Sequence, residues 1–259
     1  MRTVYIADHT KIARPPQGIP EALCVALREG LEHAARSWYM EDEFTVKWGL
    51  PRGTAVYRQD LVVVLEDTSD YPGALAYHYT NGDGSPAAKV FTKTILDNRG
   101  TWITGSNSVS TAADHETKET LGDMPCNFYA FDGYQRNWCL ELCDAVEATY
   151  YLASNGVALS NYALPAYFNP QAAGPYDKNG LLNAPFTLLK GGYSIVSTHG
   201  KDTSVFARGL NQKFLRVEVA SDPSGGGAVI LADANYPKWK QEIKLNPANR
   251  TYRRIVAEQ

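Results

Sequence analysis

The spacing of apolar residues in the first hundred positions predicts one long helix among several strands. Leu23, Leu27 and Leu31 recur at helical spacing after a Pro-Pro-Gln-Gly break, which predicts an amphipathic helix of about 18 residues starting near Ile19, with Pro20 in its first turn. Strand-like runs surround it: Val4–Ala7, Phe44–Trp48, Leu61–Leu65, Ala74–Tyr79 and Lys89–Thr94. Because Leu61–Leu65 is continuously apolar, we expect that strand to be covered on both faces.

The second half begins with another helix and then returns to strands. Capping residues from Asn107 lead into a helical stretch that Gly122 can end. Trp138–Cys143 alternates like a strand, and Asn155-Gly156 between two apolar runs predicts a hairpin. The remaining predicted strands are Phe186–Leu189, Tyr193–Val196, Phe214–Val219 and Val229–Ala232.

These elements predict an α+β fold with two parts. Residues 1–200 form the main domain, a mixed sheet with a packing helix and a second helix that carries the chemistry. Residues 201–259 form a β-rich C-terminal appendage, preceded by an ordered loop region rich in Pro, Gly and Asn.

Composition excludes several classes of function. The 259 residues are 44% hydrophobic and 20% charged, which is typical of a folded globular chain. A net charge of -3 provides no basic field for phosphate backbones, so we expect no nucleic-acid partner. We find no membrane span and no signal peptide, and expect a protein that is cytoplasmic at synthesis. The four cysteines form no CxxC pair and are expected to be free thiols.

One segment combines metal-binding side chains at meaningful spacing, His115-Glu116-Thr117-Lys118-Glu119. On a helix, His115 and Glu119 lie one turn apart on the same face and can bind one ion. This is the geometry of the HExxH zinc helix, in which Glu116 would be the general base. Asp123, just beyond Gly122, would be the third ligand. The competing interpretation is a solvated helix face.

Zinc is the first choice of metal because a histidine is present, but carboxylate ligands also suit Mn²⁺, Fe²⁺ or Ca²⁺. Three acidic residues further along could replace Asp123 or orient His115, namely Glu141, Asp144 and Glu147. Caps and turns are the more common role for such residues.

Other candidates are weaker. His78 lies on a predicted strand that could border a substrate cleft, although a packing role is more common for a strand histidine. Three tyrosines lie where a phenol could stabilise an oxyanion: Tyr162, Tyr167 and Tyr193.

The order of these segments resembles a zincin-like metallopeptidase family of bacterial and bacteriophage proteins, in its HExxE...D variant. The shared pieces are the segment from His115 to Asp123, the Cys143-Asp144 pair, the predicted hairpin, Tyr167-Phe168-Asn169-Pro170 and Gly191-Gly192-Tyr193. The resemblance covers residues 1–200 and implies a zincin-like metallopeptidase fold. Unlike metzincins, the chain has Glu119 at the second-histidine position and Pro125 at the third.

We therefore expect a metal-dependent hydrolase of metallopeptidase type. Metal-bound water would attack a peptide carbonyl, Glu116 would take its proton, and Ala74–Tyr79, as an edge strand, would align a peptide or protein substrate. The alternative is a non-catalytic bacteriophage structural or assembly protein of the virion that retains a zincin-like fold. Its C-terminal part would then contact other phage structural proteins.

Overall fold

The computed structural model describes residues 1–50, 56–57, 59–71, 74–81, 84–124, 126–134, 136–198 and 201–206, and five later strands. From residue 201 onward it describes the backbone, together with the side chain of Val205. The helices are α1 (Ile19–Ser37), α2 (Thr92–Asp97) and α3 (Val109–Gly122). The strands are β1 (Arg2–Asp8), β2 (Phe44–Trp48), β3 (Leu61–Glu66), β4 (Ala74–Thr80), β5 (Pro86–Phe91), β6 (Tyr129–Phe131), β7 (Asn137–Cys139), β8 (Tyr150–Leu152), β9 (Ala158–Ser160), β10 (Tyr193–Thr198), β11 (Lys201–Phe206), β12 (Leu215–Arg216), β13 (Glu218–Ser221), β14 (Gly227–Ile230), β15 (Ile243–Leu245) and β16 (Tyr252–Ile255).

A six-stranded mixed sheet organises the first part of the chain, in the order β16-β4-β5-β3-β1-β2. The pairs β1–β2, β1–β3 and β3–β5 are parallel, whereas β4 is antiparallel to both β5 and β16. Helices α1 and α3 pack against each other and onto this sheet. The α+β class is confirmed.

Helix α1 has the role that its pattern predicts. Leu23, Leu27 and Leu31 are buried in the main core, and Pro20 lies in the first turn. Each such leucine contributes about 1.5–3 kcal/mol through its burial. No helix of the described residues is both long and apolar enough to cross a membrane.

Helix α3 is buried despite its polar sequence. Ser108 caps its first turn through a capping box with Thr111, and the helix ends at Gly122 as predicted. A Cβ on Gly122 would lie 1.8 Å from the Leu142 Cδ1 atom, so a larger residue here would displace the buried Leu142 side chain. Every residue from Val109 to Thr120 is buried. Because a polar helix is normally solvated, its buried charges must find partners inside the protein.

A second core lies behind a five-stranded sheet, in the order β12-β11-β10-β7-β6. Trp138, Tyr167 and Leu188 are among its buried members. Strands β8 and β9 form the antiparallel hairpin predicted around Asn155-Gly156. Strands β13, β14 and β15 form a third, small sheet.

Three strand predictions are wrong in detail. The predicted strand Lys89–Thr94 is the end of β5 followed by α2, where the Thr92 hydroxyl donates to the Glu66 carbonyl. The predicted strand Trp138–Cys143 stops at Cys139, and a 3₁₀ turn follows at Asp144–Val146. Residues 186–189 form no named strand.

Two predictions about individual strands are also corrected. Strand β3 alternates between buried and half-buried residues, because the helices cover one face of the sheet. Strand β4 is not an edge strand, because β16 pairs with its outer side. That edge is therefore not open to an extended substrate while β16 is paired.

The predicted domain boundary falls at residues 199–200, which lie outside the described residues. On either side of it, β10 and β11 pair along their whole length, from Tyr193 with Phe206 to Thr198 with Lys201. Hydrogen bonding between strands therefore links the two predicted parts, through this pair and through β16.

Candidate metal centre

Three elements bring a cluster of histidines and acids together beneath the sheet. Helix α3 contributes His115, Glu116 and Glu119 from one side. Strand β4, which packs against α3, contributes His78. The segment after β7 contributes Glu141, Cys143 and Asp144.

The cluster contains two groups that could hold a metal ion. In the first group, one ligand atom each from His115, Glu119 and Cys143 lies within 4.8 Å of the others. In the second group, the same holds for His78, Glu119 and Glu141. Glu119 is common to both groups.

The two oxygens of Glu119 face different histidines. Its Oε1 lies 2.9 Å from Nε2 of His115, and its Oε2 lies 3.4 Å from Nδ1 of His78. Asp144 extends the first group, since its Oδ1 lies 3.2 Å from Nε2 of His115. Glu141 closes the second group, with Oε2 3.8 Å from Nε2 of His78.

Glu116 adjoins the second group, with its Oε2 3.3 Å from Nδ1 of His78. Its Oε1 is buried and has no hydrogen-bond partner among the described residues. Glu116 therefore contacts a member of the second group and follows His115 of the first group in sequence, while its Oε1 accepts no hydrogen bond.

The cluster is almost inaccessible to solvent, because its histidines and carboxylates are all between 0% and 2% exposed. Within the described part of the chain, no lysine or arginine forms an ion pair with Glu116, Glu119, Glu141 or Asp144. Both oxygens of Glu141 and Oδ2 of Asp144 also lack a hydrogen-bond partner there. Buried carboxylates in this state are costly unless protons or cations neutralise them.

The pKa shifts reflect this crowding. Burial and the charge of Glu119 hold the pKa values of Glu141 and Asp144 well above their usual range. Burial acts to raise the pKa of Glu119 as well, but the two histidines lower it below its ordinary value. Burial acts to lower the pKa of His115, yet Glu119 and Asp144 hold that pKa well above its ordinary value.

The pKa of Glu116 is raised by burial, against the hydrogen bond from His78. A raised pKa lies closer to neutral pH, where a general base must accept and release a proton.

The donor atoms fit a divalent ion. Imidazole, carboxylate and thiolate together suit Zn²⁺, and the uncommitted carboxylate oxygens supply the negative charge that such an ion needs. The buried groups could hold a metal ion, although the donor set does not fix its identity.

Of the residues proposed from the sequence, the structure brings together His115, Glu116 and Glu119. Asp123 is buried and its charge reaches Glu141, but it belongs to neither group of the described residues. Its Oδ1 and Oδ2 accept the backbone N–H groups of Asn127 and Phe128, at 2.9 and 2.7 Å. Asp123 therefore holds the turn after α3.

The alternatives for the third ligand are distributed around the cluster. Asp144 contacts His115 and Glu141 contacts His78, whereas the negative charge of Glu147 raises the pKa of Asp144. Among the tyrosines, the hydroxyl of Tyr162 contacts Ser37 at 3.0 Å. Burial, together with the charge of Asp144, raises the pKa of both Tyr167 and Tyr193.

Sequence reasoning underestimated His78 and Cys143. His78 is the polar residue in a strand whose first five residues are all buried, and such a strand rarely buries an imidazole without a partner. Cys143 lies beside Asp144 in the buried run from Glu141 to Glu147, where pairs of apolar residues separate three acids. Polar residues inside otherwise apolar segments were the available signal for both.

No family model matches this chain, and no curated protein or solved structure matches it either.

Proposed function

We propose that this protein is a metal-dependent hydrolase of metallopeptidase type, with a zincin-like arrangement of its main domain. One observation carries the proposal: His115, Glu116 and Glu119 converge from one helix into a buried cluster whose carboxylates face histidines and, among the described residues, no lysine or arginine. The resemblance of the HExxE segment to zincin-like proteins is consistent with this proposal.

Each residue of the proposed site has a separate role. His115 and Glu119 hold the ion, and Cys143 and Asp144 complete its ligand set from the segment after β7. Asp123 keeps that side of the pocket in place by holding the turn after α3. When bound, a zinc ion supplies a Lewis acid and lowers the pKa of water towards neutrality.

Glu116 is the proposed general base. It is adjacent to the ligands, its pKa is raised, and its Oε1 accepts no hydrogen bond among the described residues. His78 contacts its other oxygen and keeps the carboxylate aimed at the cluster. A proton taken by Glu116 can then pass to the leaving amine.

A second candidate is a non-catalytic protein in which the ion stabilises the fold. The burial of every ligand favours it, because a catalytic site needs a path for its substrate. A cavity among the described residues that is lined in part by Thr117, Thr120 and Leu121 of α3 contains none of the cluster's members. Membership of a bacteriophage virion remains a prediction from the family resemblance.

The test is the Glu116→Gln variant, which keeps the size and removes the base. We expect zinc-loaded wild-type protein to cleave an internally quenched peptide library, and Glu116→Gln to retain its zinc while losing about 10²–10⁴-fold in rate. The matched control is Glu32→Gln on an exposed part of α1, which should leave the rate unchanged.

Absence of turnover in zinc-loaded wild-type protein would contradict the hydrolase and, with metal bound, support the non-catalytic candidate. An undiminished rate in Glu116→Gln would contradict the role of Glu116 as the general base.

A further inference from the structure

The cluster contains more ligands than one ion requires. A zinc site uses three or four protein ligands, and His115, Glu119, Cys143 and Asp144 already supply that number. His78 and Glu141 then remain, with Glu119 as their nearest shared partner. These two residues come from β4 and from the segment after β7, and His78 faces the Glu119 oxygen, Oε2, that does not face His115.

We propose that the protein binds two divalent metal ions, with the Glu119 carboxylate as a bridge between them. This inference rests on the proposed function, because it takes the site at His115 as the first ion position. The second position is formed by His78, Glu119 and Glu141, whose ligand atoms lie within 4.8 Å of one another.

The orientation of Glu119 supports the bridge. Its Oε1 faces Nε2 of His115 at 2.9 Å, and its Oε2 faces Nδ1 of His78 at 3.4 Å. A carboxylate that binds a single ion uses one of its oxygens or directs both oxygens towards that ion. Here each oxygen is directed to a different imidazole.

Charge balance supports a second ion independently. Glu116, Glu119, Glu141 and Asp144 carry four negative charges when ionised, and no described lysine or arginine pairs with them. With the Cys143 thiolate, which the first position uses as a ligand, the negative charges number five, so one divalent ion leaves three of them and two ions leave one. Both oxygens of Glu141 are buried without a hydrogen-bond partner among the described residues, and Oε2 lies 3.8 Å from Nε2 of His78 at the second position.

Two ions that share a carboxylate suit hydrolysis. Dinuclear centres in hydrolases place one ion near the nucleophile and the other near the developing negative charge of the substrate. Glu116 contacts His78 and neighbours His115 in sequence, so it can act as a base between the two proposed ion positions.

The experiment counts metal in the full chain after chelation and reconstitution with Mn²⁺ or Zn²⁺. Elemental analysis should give two ions per wild-type chain and one per chain in both Glu141→Gln and His78→Ala/Glu141→Gln. Circular dichroism and gel filtration establish that each variant is folded, and the isosteric Glu141→Gln carries the test if the double variant does not fold. In the manganese form, electron paramagnetic resonance should show coupled ions in wild type and an uncoupled single ion in the variants.

The outcomes separate the two proposals. One ion in wild type that disappears in His115→Ala would overturn the dinuclear centre and leave the proposed hydrolase standing. Two ions in Glu141→Gln would overturn the assignment of the second position, and two uncoupled ions in wild type would overturn the bridge. No ion in any form would overturn both proposals.

Discussion

The two sides of helix α3 bury charge in opposite ways. On one side, Asp114 and Lys118 form a closed pair: the Lys118 ammonium donates to the Asp114 carboxylate, to the Tyr151 hydroxyl at 3.1 Å and to the Ser160 carbonyl at 2.8 Å. On the other side, His115, Glu116 and Glu119 meet further acids and no described lysine or arginine.

This difference distinguishes charges that are buried with partners inside the protein from charges that are buried at the proposed metal site. The rings of Tyr151 and Tyr162 each lie 4.8 Å from the Lys118 ammonium, so this charge has carboxylate, hydroxyl, carbonyl and π partners within the protein. The acidic side has surplus carboxylate oxygens that no described group satisfies. Oδ1 of Asp114 also lacks a hydrogen-bond partner among the described residues, but the Lys118 ammonium supplies that side with a counter-charge. In the proposed metal site, a cation would have the same role for the acids around Glu119.

The closed side should give the largest effect on stability. Lys118→Met leaves Asp114 buried without its counter-charge, which should cost about 3–5 kcal/mol. Urea denaturation measures the loss. The double variant Asp114→Asn/Lys118→Met should recover much of it, because it removes both charges; a double variant as unstable as the single one would contradict the pairing.

The acidic side should respond to metal instead. At a free zinc concentration of about 100 times Kd, binding to the native state contributes about 2.7 kcal/mol. For a chain of this size, chelation should then lower Tm by about 5–11 °C. Thermal unfolding with and without chelator measures the shift, which should be much smaller in Glu119→Gln and unchanged in Lys118→Met. A Tm insensitive to chelator in metal-loaded wild-type protein would contradict the account.

The effect of Glu141→Gln on stability should change sign when metal binds. Without metal, burial and the charge of Glu119 oppose the ionisation of Glu141 and raise its pKa, so Glu141→Gln removes an unfavourably buried acid and should stabilise the protein by about 1 kcal/mol. With saturating metal, the same variant loses a ligand and should be less stable than wild type. Thermal unfolding of the variant and of wild type, each with and without metal, measures this change of sign. A loss of equal size in both forms would indicate a packing role alone.

Periodicity predicted much of the fold, because the elements concerned are regular and amphipathic. Helix α1, strand β2 and the hairpin at Asn155-Gly156 follow their patterns closely. The pairing of β16 with β4 could not be predicted, since it joins residues far apart in the chain. The end of β5 at Phe91 was missed because Thr92-Lys93-Thr94 has β-branched residues at helical positions.

The candidate site was predictable only where its residues share a helix. His115, Glu116 and Glu119 are related by helical spacing, so the sequence alone places them together. His78 and Cys143 join them only through tertiary packing, and no local pattern links β4 to the segment after β7. Asp123 was a reasonable candidate by spacing, but its carboxylate accepts backbone N–H groups within the next turn.

Anomalous diffraction at the zinc absorption edge, from crystals of the zinc-reconstituted protein, locates a bound zinc ion. We expect an anomalous peak within coordination distance of Glu119, with His115 as a further ligand. A map without such a peak, in which the histidines and carboxylates of the cluster are hydrogen-bonded only to one another, would contradict it.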